Sequence, residues 1–253
     1  MSGGAAAAIT ANVPATGEAP SPLPSASPLD RTFLTNQPDV TTLILIRHGK
    51  QFFAVGSNPT PVDWVDPPLS GTGERQAEAV GRSLAGEHID AVYCSPLARA
   101  QVTAQSVARH HGLTPTSEPG LREVEVFRDV PPGVAITDVL TAGQIEEMQD
   151  RFIQERRWDV YPYSESSAEF RPRVVAAIEA IVAAHPGQRV VVACHSGVIN
   201  AYVGHVLGLP HDMTFRPAHA SVTRVLAGGD RRVVHSLNET HHLVAADPEL
   251  LTV

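Results

Sequence analysis

Apolar and polar positions change period several times along the chain, and each change marks an element. TTLILI (41–46) is a short aliphatic run and predicts a buried strand. LSGTGERQAEAVGRSLAGE (69–87) carries Ala77, Val80 and Leu84 at helical spacing behind Ser70 or Thr72, either of which suits an N-cap. IDAVYC (89–94) predicts a second strand. SPLARAQVTAQSVARHHG (95–112) predicts a helix with Ser95 as N-cap, Pro96 at the first helical position and Gly112 as its stop.

The stretch from Gly120 to Tyr163 is less regular. It holds one predicted helix, around 141–157, and reads as an insertion or lid spanning about 120–163. SESSAEFRPRVVAAIEAIVAAHPG (164–187) predicts a long amphipathic helix, and Pro172 inside it places the start of its regular part near that residue. RVVVAC (189–194) is a third strand, followed by a helix over HSGVINAYVGHVLGLP. SVTRVLAG (221–228) and RRVVHSLN (231–238) flank a Gly-Gly-Asp turn and predict a hairpin at a sheet edge. Alternating strands and helices imply an α/β three-layer sandwich, a mostly parallel central sheet with helices on both faces.

Residues 1–40 break this pattern. They are rich in Ala, Pro, Ser and Gly, with no Lys or Arg before Arg31, and lack both the positive start and the sustained apolar stretch of a secretory signal. We expect a flexible tail there and one domain over 41–253. Net charge is −8, so the surface as a whole repels nucleic acid and anionic membrane, and any local cationic cluster stands out against it. No apolar run reaches the roughly 18 residues needed to cross a bilayer. Cys94 and Cys194 each close an apolar run and read as reduced core thiols of a cytoplasmic protein.

The ends of the predicted strands carry the candidate chemistry. The first runs into Arg47-His48-Gly49, the second into Cys94-Ser95-Pro96 with Arg99 shortly after, and the third into Cys194-His195-Ser196-Gly197. In open α/β sheets ligands sit beyond the carboxyl ends of the strands. Parallel neighbours would therefore gather two arginines and two histidines beside helix N-termini, a set suited to a phosphate dianion.

LILIRHGK (43–50) resembles the signature of the histidine phosphatase superfamily, which includes the cofactor-dependent phosphoglycerate mutases. PLSGTGERQA (68–77), YCSPLARAQVTA (93–104), GLREVEVF (120–127), SESSAEFRPRV (164–174) and VVVACHSGVIN (191–200) are similar to further blocks of that family, in order. The resemblance implies a phosphoglycerate mutase-like fold and a phosphatase acting through a phosphohistidine. His48 would be the nucleophile, Arg47, Arg99 and His195 would hold the phosphoryl oxygens, and Glu123 would be the general acid. It implies a small phosphorylated substrate, no metal and no cofactor; a homodimer stays open.

Some positions depart from the family pattern. Glu125 is a rival to Glu123, because the tail of the family's acid block is absent. KQFFAVGSN after RHG lacks the serine and asparagine of the mutases, which favours phosphatase over mutase, and Ser196 stands where glycine is usual. A mutase, or a silent member that only binds a phosphorylated ligand, is the alternative. The partly apolar segment 52–68 suggests a substrate with a non-polar moiety. His219 reads as a packing or surface residue, with lining of the pocket as the alternative. His110, His111, His241 and His242 read as exposed, and Arg151, Arg156 and Arg157 as a solvated helix face, one of which could reach a second acidic group of the substrate. The remaining histidines have no metal-ligand spacing.

Overall fold

A computed structural model describes residues 27–52 and 60–253. Its elements, in order, are α1 (Pro28–Phe33), β1 (Thr41–Arg47), α2 (Pro61–Val65), α3 (Gly71–Leu84), β2 (Ala91–Cys94), α4 (Ala98–Ala108), β3 (Thr116–Ser117), α5 (Ile136–Val139), α6 (Ala142–Glu155), α7 (Ser167–Ala184), β4 (Arg189–Cys194), α8 (Ser196–Leu207), β5 (Val222–Gly228), β6 (Arg231–Glu239) and α9 (His241–Ala246). The strands form one sheet in the order β3-β2-β4-β1-β5-β6. The β3-β2-β4-β1 pairings are parallel, and the β5–β6 hairpin closes the other edge with antiparallel pairing of β5 to β1.

Why β1 is apolar at every step from Leu43 to Ile46 follows from its neighbours. Leu43 and Leu45 enter a cluster with Phe170, Ile178 and Tyr202 of α7 and α8. Ile44 and Ile46 enter the opposite cluster with Val80, Leu84 and Val107 of α3 and α4. A central strand covered on both sides has no face left for polar residues. A third, smaller cluster of Phe127, Val130, Ile136, Leu140, Met148 and Val160 lies wholly within residues 120–163.

Three expectations are corrected. Residues 1–26 of the expected tail lie outside the described residues, but 27–40 are built into the fold. Ser27 and Asp30 form a capping box at the start of α1, and Leu34, 6% exposed, packs where a Cβ on Gly228 would meet it. Ser95 does not cap α4. Its N–H pairs with Ala193 O at 3.0 Å, so the sheet ladder continues past β2, and the helix begins only at Ala98 with Leu97 in the N-cap position. The helix over 164–187 does not wait for Pro172. A Ser166–Glu169 capping box starts α7 at Ser167, and with Phe170 fully buried it outweighs the one backbone bond the proline forfeits.

Candidate active site

Strand register sets the cluster. Arg47 lies opposite Cys194 in the β1–β4 pairing and Cys94 opposite Ala193 in the β2–β4 pairing, so the three parallel strands end level. The next residue of each chain is then His48, Ser95 and His195. His48 N–H donates to Cys194 O at 2.9 Å, which anchors the histidine backbone to the sheet. Gly49 crosses Gly73 at the start of α3 so closely that a Cβ on Gly49 would stand 2.3 Å from Gly73 O, and only glycine allows that approach. The imidazole is thus carried on backbone that has little room to move.

The hydrogen bonds fix its protonation. A carbonyl only accepts, so the 2.7 Å contact between His48 Nδ1 and Gly49 O puts the proton on Nδ1. Nε2 keeps its lone pair, into which Arg99 Nε–H donates at 3.1 Å. Burial, and then the charges of Arg99 and Arg47, hold the His48 pKa well below its ordinary value, so the ring is neutral at physiological pH. The His195 ring lies 5.0 Å away, centroid to centroid, fully buried, and is kept neutral by the same causes, burial first. Its Nε2 is 2.8 Å from Ser95 Oγ.

Two buried nitrogens beside His48 have no hydrogen-bond partner among the described residues: Arg47 Nε and His195 Nδ1. Arg47 Nε is a donor, and His195 Nδ1 is one in the tautomer whose Nε2 accepts from Ser95 Oγ. Buried donors are nearly always paired, so orphans here mark a place for an acceptor. Burial lowers the Arg47 pKa to about 10, which leaves the guanidinium charged at neutral pH. Arg99 also donates to Val65 O at 3.1 Å and lies 3.5 Å from Asp66 Oδ1.

Glu123 faces this group from the 120–163 region. Its Oε2 accepts Gly197 N–H at the start of α8, and its Oε1 accepts Val124 N–H, both at 3.1 Å. A Cβ on Gly197 would meet Glu123 Oε1 at 2.3 Å, so glycine is what lets the carboxyl seat there. Burial pushes the Glu123 pKa up, against the pull of those two amides and of Arg99 and Arg47. Glu125, the rival, lines the same cavity but is half-exposed and ion-paired with Arg122 at 3.0 Å. The cavity, about 190 Å³, joins Arg47, His48, Arg99 and Glu123 to an outer wall that includes Arg122, Gln51 and Trp158. Phe52 is exposed and 53–59 lie outside the described residues; Val65 is the segment's contribution to the cavity.

Some supporting residues escaped the sequence reading. His219, for which packing and a place by the pocket are both readable from the sequence, is buried, 6% exposed, with Nε2 2.8 Å from Arg47 Nη2; nothing in the sequence signals that contact with Arg47. His242 is buried too and donates to Ala220 O at 2.9 Å, while Ala220 N–H donates to His48 O. Glu165 and Arg173 form a brace at 2.6 Å, and Arg173 also donates to Gly120 O and Arg122 O, which positions the Glu123 segment from behind. Their signal was present in SESSAEFRPRV as a matched block without an assigned role. Arg151 pairs with Glu155 on α6, and neither it, Arg156 nor Arg157 lines the cavity. No group of three or more His, Cys, Asp or Glu among the described residues is arranged to hold a metal ion.

Comparison with known proteins agrees with the geometry. The family model of the histidine phosphatase superfamily (branch 1) matches residues 43–240. Phosphoserine phosphatase 1 of Hydrogenobacter thermophilus is 30% identical over 213 residues, covering 79% of this chain and 93% of that protein. The protein named "Probable phosphoglycerate mutase GpmB" of Yersinia enterocolitica is 29% identical, covering 79% and 94%. Among solved structures, Bacillus stearothermophilus YhfR superposes with a TM-score of 0.68 at 25% identity, covering 80% of this chain and 99% of that one. With the expected phosphoglycerate mutase-like fold in place around the strand-end cluster, the chain belongs to the histidine phosphatase superfamily, branch 1.

Proposed function

We propose that this protein hydrolyses a small phosphate monoester through a phosphohistidine on His48. One observation carries the reading: a neutral imidazole with its Nε2 lone pair turned toward Arg99, flanked by two buried, unpartnered nitrogens on Arg47 and His195. Cationic and neutral donors placed before the substrate arrives need no reorganisation when charge develops on the phosphoryl oxygens.

The substrate phosphoryl group draws the Arg99 N–H away from His48 Nε2 and onto a phosphoryl oxygen. The freed lone pair attacks phosphorus, the bond from phosphorus to the alcohol oxygen breaks, and that oxygen takes the proton of the Glu123 carboxyl. Glu123, now a carboxylate, accepts a proton from water as the water oxygen bonds to phosphorus. The P–N bond breaks and its electron pair returns to Nε2. Raising the carboxyl pKa by burial is what keeps a proton available for the first step. The protein is a phosphoric monoester hydrolase, as the relative named phosphoserine phosphatase is by its name.

We place the enzyme in the cytoplasm, where buried free thiols such as Cys94 and Cys194 stay reduced. No helix among the described residues is long and apolar enough to cross a membrane.

The test is hydrolysis of p-nitrophenyl phosphate and of a panel that includes phosphoserine, with quenching in alkaline detergent to trap labelled phosphate on the protein. An acid-labile phosphoenzyme lost in His48→Ala is expected. Turnover of 3-phosphoglycerate that depends on bisphosphoglycerate, with no net phosphate release, would replace this reading by a mutase.

A further inference from the structure

Behind Arg47 runs a line of side-chain hydrogen bonds that the catalytic roles above do not use. Arg47 Nη2 lies 2.8 Å from His219 Nε2, and His219 Nδ1 lies 2.9 Å from Thr252 Oγ1. The same Oγ1 receives Gln76 Nε2–H at 2.9 Å. Gln76, fully buried in α3, accepts Lys50 N–H on its Oε1 at 2.7 Å and donates from Nε2 to Leu250 O at 2.6 Å. His219 N–H also donates to Thr252 O, at 2.9 Å. The segment after α9 is thus stitched to the loop that carries His48.

The direction of every bond in this line is determined. A guanidinium has donors only, so His219 Nε2 must accept from Arg47 and its proton must sit on Nδ1. Lys50 N–H is a donor, which orients the Gln76 amide with its NH₂ toward Thr252. Thr252 Oγ1 therefore accepts from both Gln76 and His219. Burial, and next the charge of Arg47, hold the His219 pKa at about 3, so the ring stays in its neutral form. The other tautomer would set an N–H against the guanidinium, donor facing donor.

We propose that Thr252 is a positioning residue for phosphate binding: its hydroxyl oxygen fixes the tautomer of His219, and His219 aims the Arg47 guanidinium at the pocket. The inference rests on the phosphate-binding role of Arg47 proposed above. Removing the hydroxyl with Thr252→Val takes the side-chain partner from His219 Nδ1–H, and the ring is no longer held in the orientation that presents Nε2 to Arg47.

The test measures binding of inorganic phosphate, and KM and kcat for p-nitrophenyl phosphate, in the wild type, Thr252→Val, Thr252→Ser and Arg47→Ala. Expected is a weakening of phosphate binding by about tenfold in Thr252→Val, mirrored in KM more than in kcat. Thr252→Ser, which keeps the oxygen, is expected to stay within about twofold of wild type. Equal losses in the valine and serine variants, or no loss in the valine variant while Arg47→Ala loses binding, would overturn the role of Thr252. Wild-type affinity in Arg47→Ala would instead overturn the role of Arg47. Nitrogen-15 NMR of the wild type gives an answer even where the valine variant does not fold, with His219 assigned by its loss in His219→Asn. A neutral ring protonated at Nδ1 supports the proposal, and one protonated at Nε2 refutes it.

Discussion

The strand-end cluster and the 120–163 region face each other across one cavity and are built in opposite ways. Arg47, His48 and His195 stand at the ends of strands whose side chains are buried on both faces; the backbones of Arg47 and His48 continue the sheet's hydrogen bonding, and His195 takes the N-cap position of α8. Arg122, Glu123 and Trp158 come from loops and a short turn: Leu121, Val124 and Trp158 rest on the core under α7 and α8, while the rest of the region carries a small core of its own, with Val126 packed against both. That core is tied to the sheet domain by a few polar brackets: Glu165–Arg173, Arg128–Glu169, and the buried Asp212, which accepts Trp158 N–H at 2.9 Å and pairs with Ser167. We propose that the rigid strand-end side holds the nucleophile and the phosphoryl oxygens, and that the side carried on loops supplies the proton through Glu123 and recognises the leaving alcohol. Precision in the nucleophile matters to every substrate, whereas the outer wall can vary with the alcohol.

The most severe break of the rigid side is His48→Ala. It removes the only nitrogen proposed to carry phosphate, and turnover should fall about 10⁴-fold or more. The melting temperature should stay close to wild type, because the ring makes one backbone hydrogen bond and sits over a cavity. A variant within tenfold of the native rate would end the assignment.

Glu123→Gln breaks the link between the two sides. The loss should reach about 10²- to 10⁴-fold for alkyl phosphates and be much smaller for aryl phosphates, whose leaving groups need no proton. Glu125→Gln, which removes only a half-exposed partner of Arg122, should cost little on either substrate. The pH profile carries the same information. Because the Glu123 pKa is raised, activity on alkyl phosphates should decline on the alkaline side as the carboxyl loses its proton, and that limb should vanish in the glutamine variant. No acid limb from His48 is expected at the ordinary histidine value of about 6.5, since burial and the charges of Arg99 and Arg47 hold its pKa well below that.

How much of this was legible beforehand depends on which forces place each residue. Ile44 and Leu45 announce a buried strand because covering both faces demands aliphatic residues, and a strand end fixes where Arg47 and His48 emerge. Helix starts were harder. Ser95 looks like an N-cap by residue type, but its N–H is claimed by a neighbouring strand, a tertiary fact no local pattern contains. Pro172 looks like a boundary, yet capping and burial of Phe170 override it. His219 was illegible for a related reason. A packing role could be read for it, but its partners, Arg47 and Thr252, lie far from it in sequence, and nothing about a lone histidine marks it as the support of an arginine.

Acid should loosen the rigid side. His48, His195 and His219 are neutral in the fold with depressed pKa values, while in the unfolded chain each binds a proton below about pH 6.5. The unfolded state therefore holds more protons in that window, and stability falls as pH drops from about 7 toward 5, by up to about 1.4 kcal/mol per pH unit for each group. Glu123 acts in the opposite sense, because its raised pKa makes the folded state bind a proton first, but one carboxyl opposes three imidazoles. Thermal melts across this range should show the decline, and it should be shallower in His219→Asn. A melting temperature that rises on acidification would mean that these rings are not neutral in the fold.

The smallest effect tests the other side. Trp158 Nε1 is a buried donor without a partner among the described residues, and the indole lines the outer wall of the cavity. Trp158→Phe keeps a packed ring and deletes that N–H alone. If the 120–163 region recognises the alcohol, the change should raise KM about five- to tenfold for substrates that bring an acceptor to that wall, such as the carboxylate of phosphoserine, the worth of one buried hydrogen bond. It should leave kcat, and KM for phenyl phosphate, near wild type. An equal rise for both substrates would place the effect in the packing of the wall. A fall in kcat would mean that Trp158 acts on the phosphoryl transfer itself, as Glu123 from the same region is proposed to do, and is not confined to recognising the alcohol.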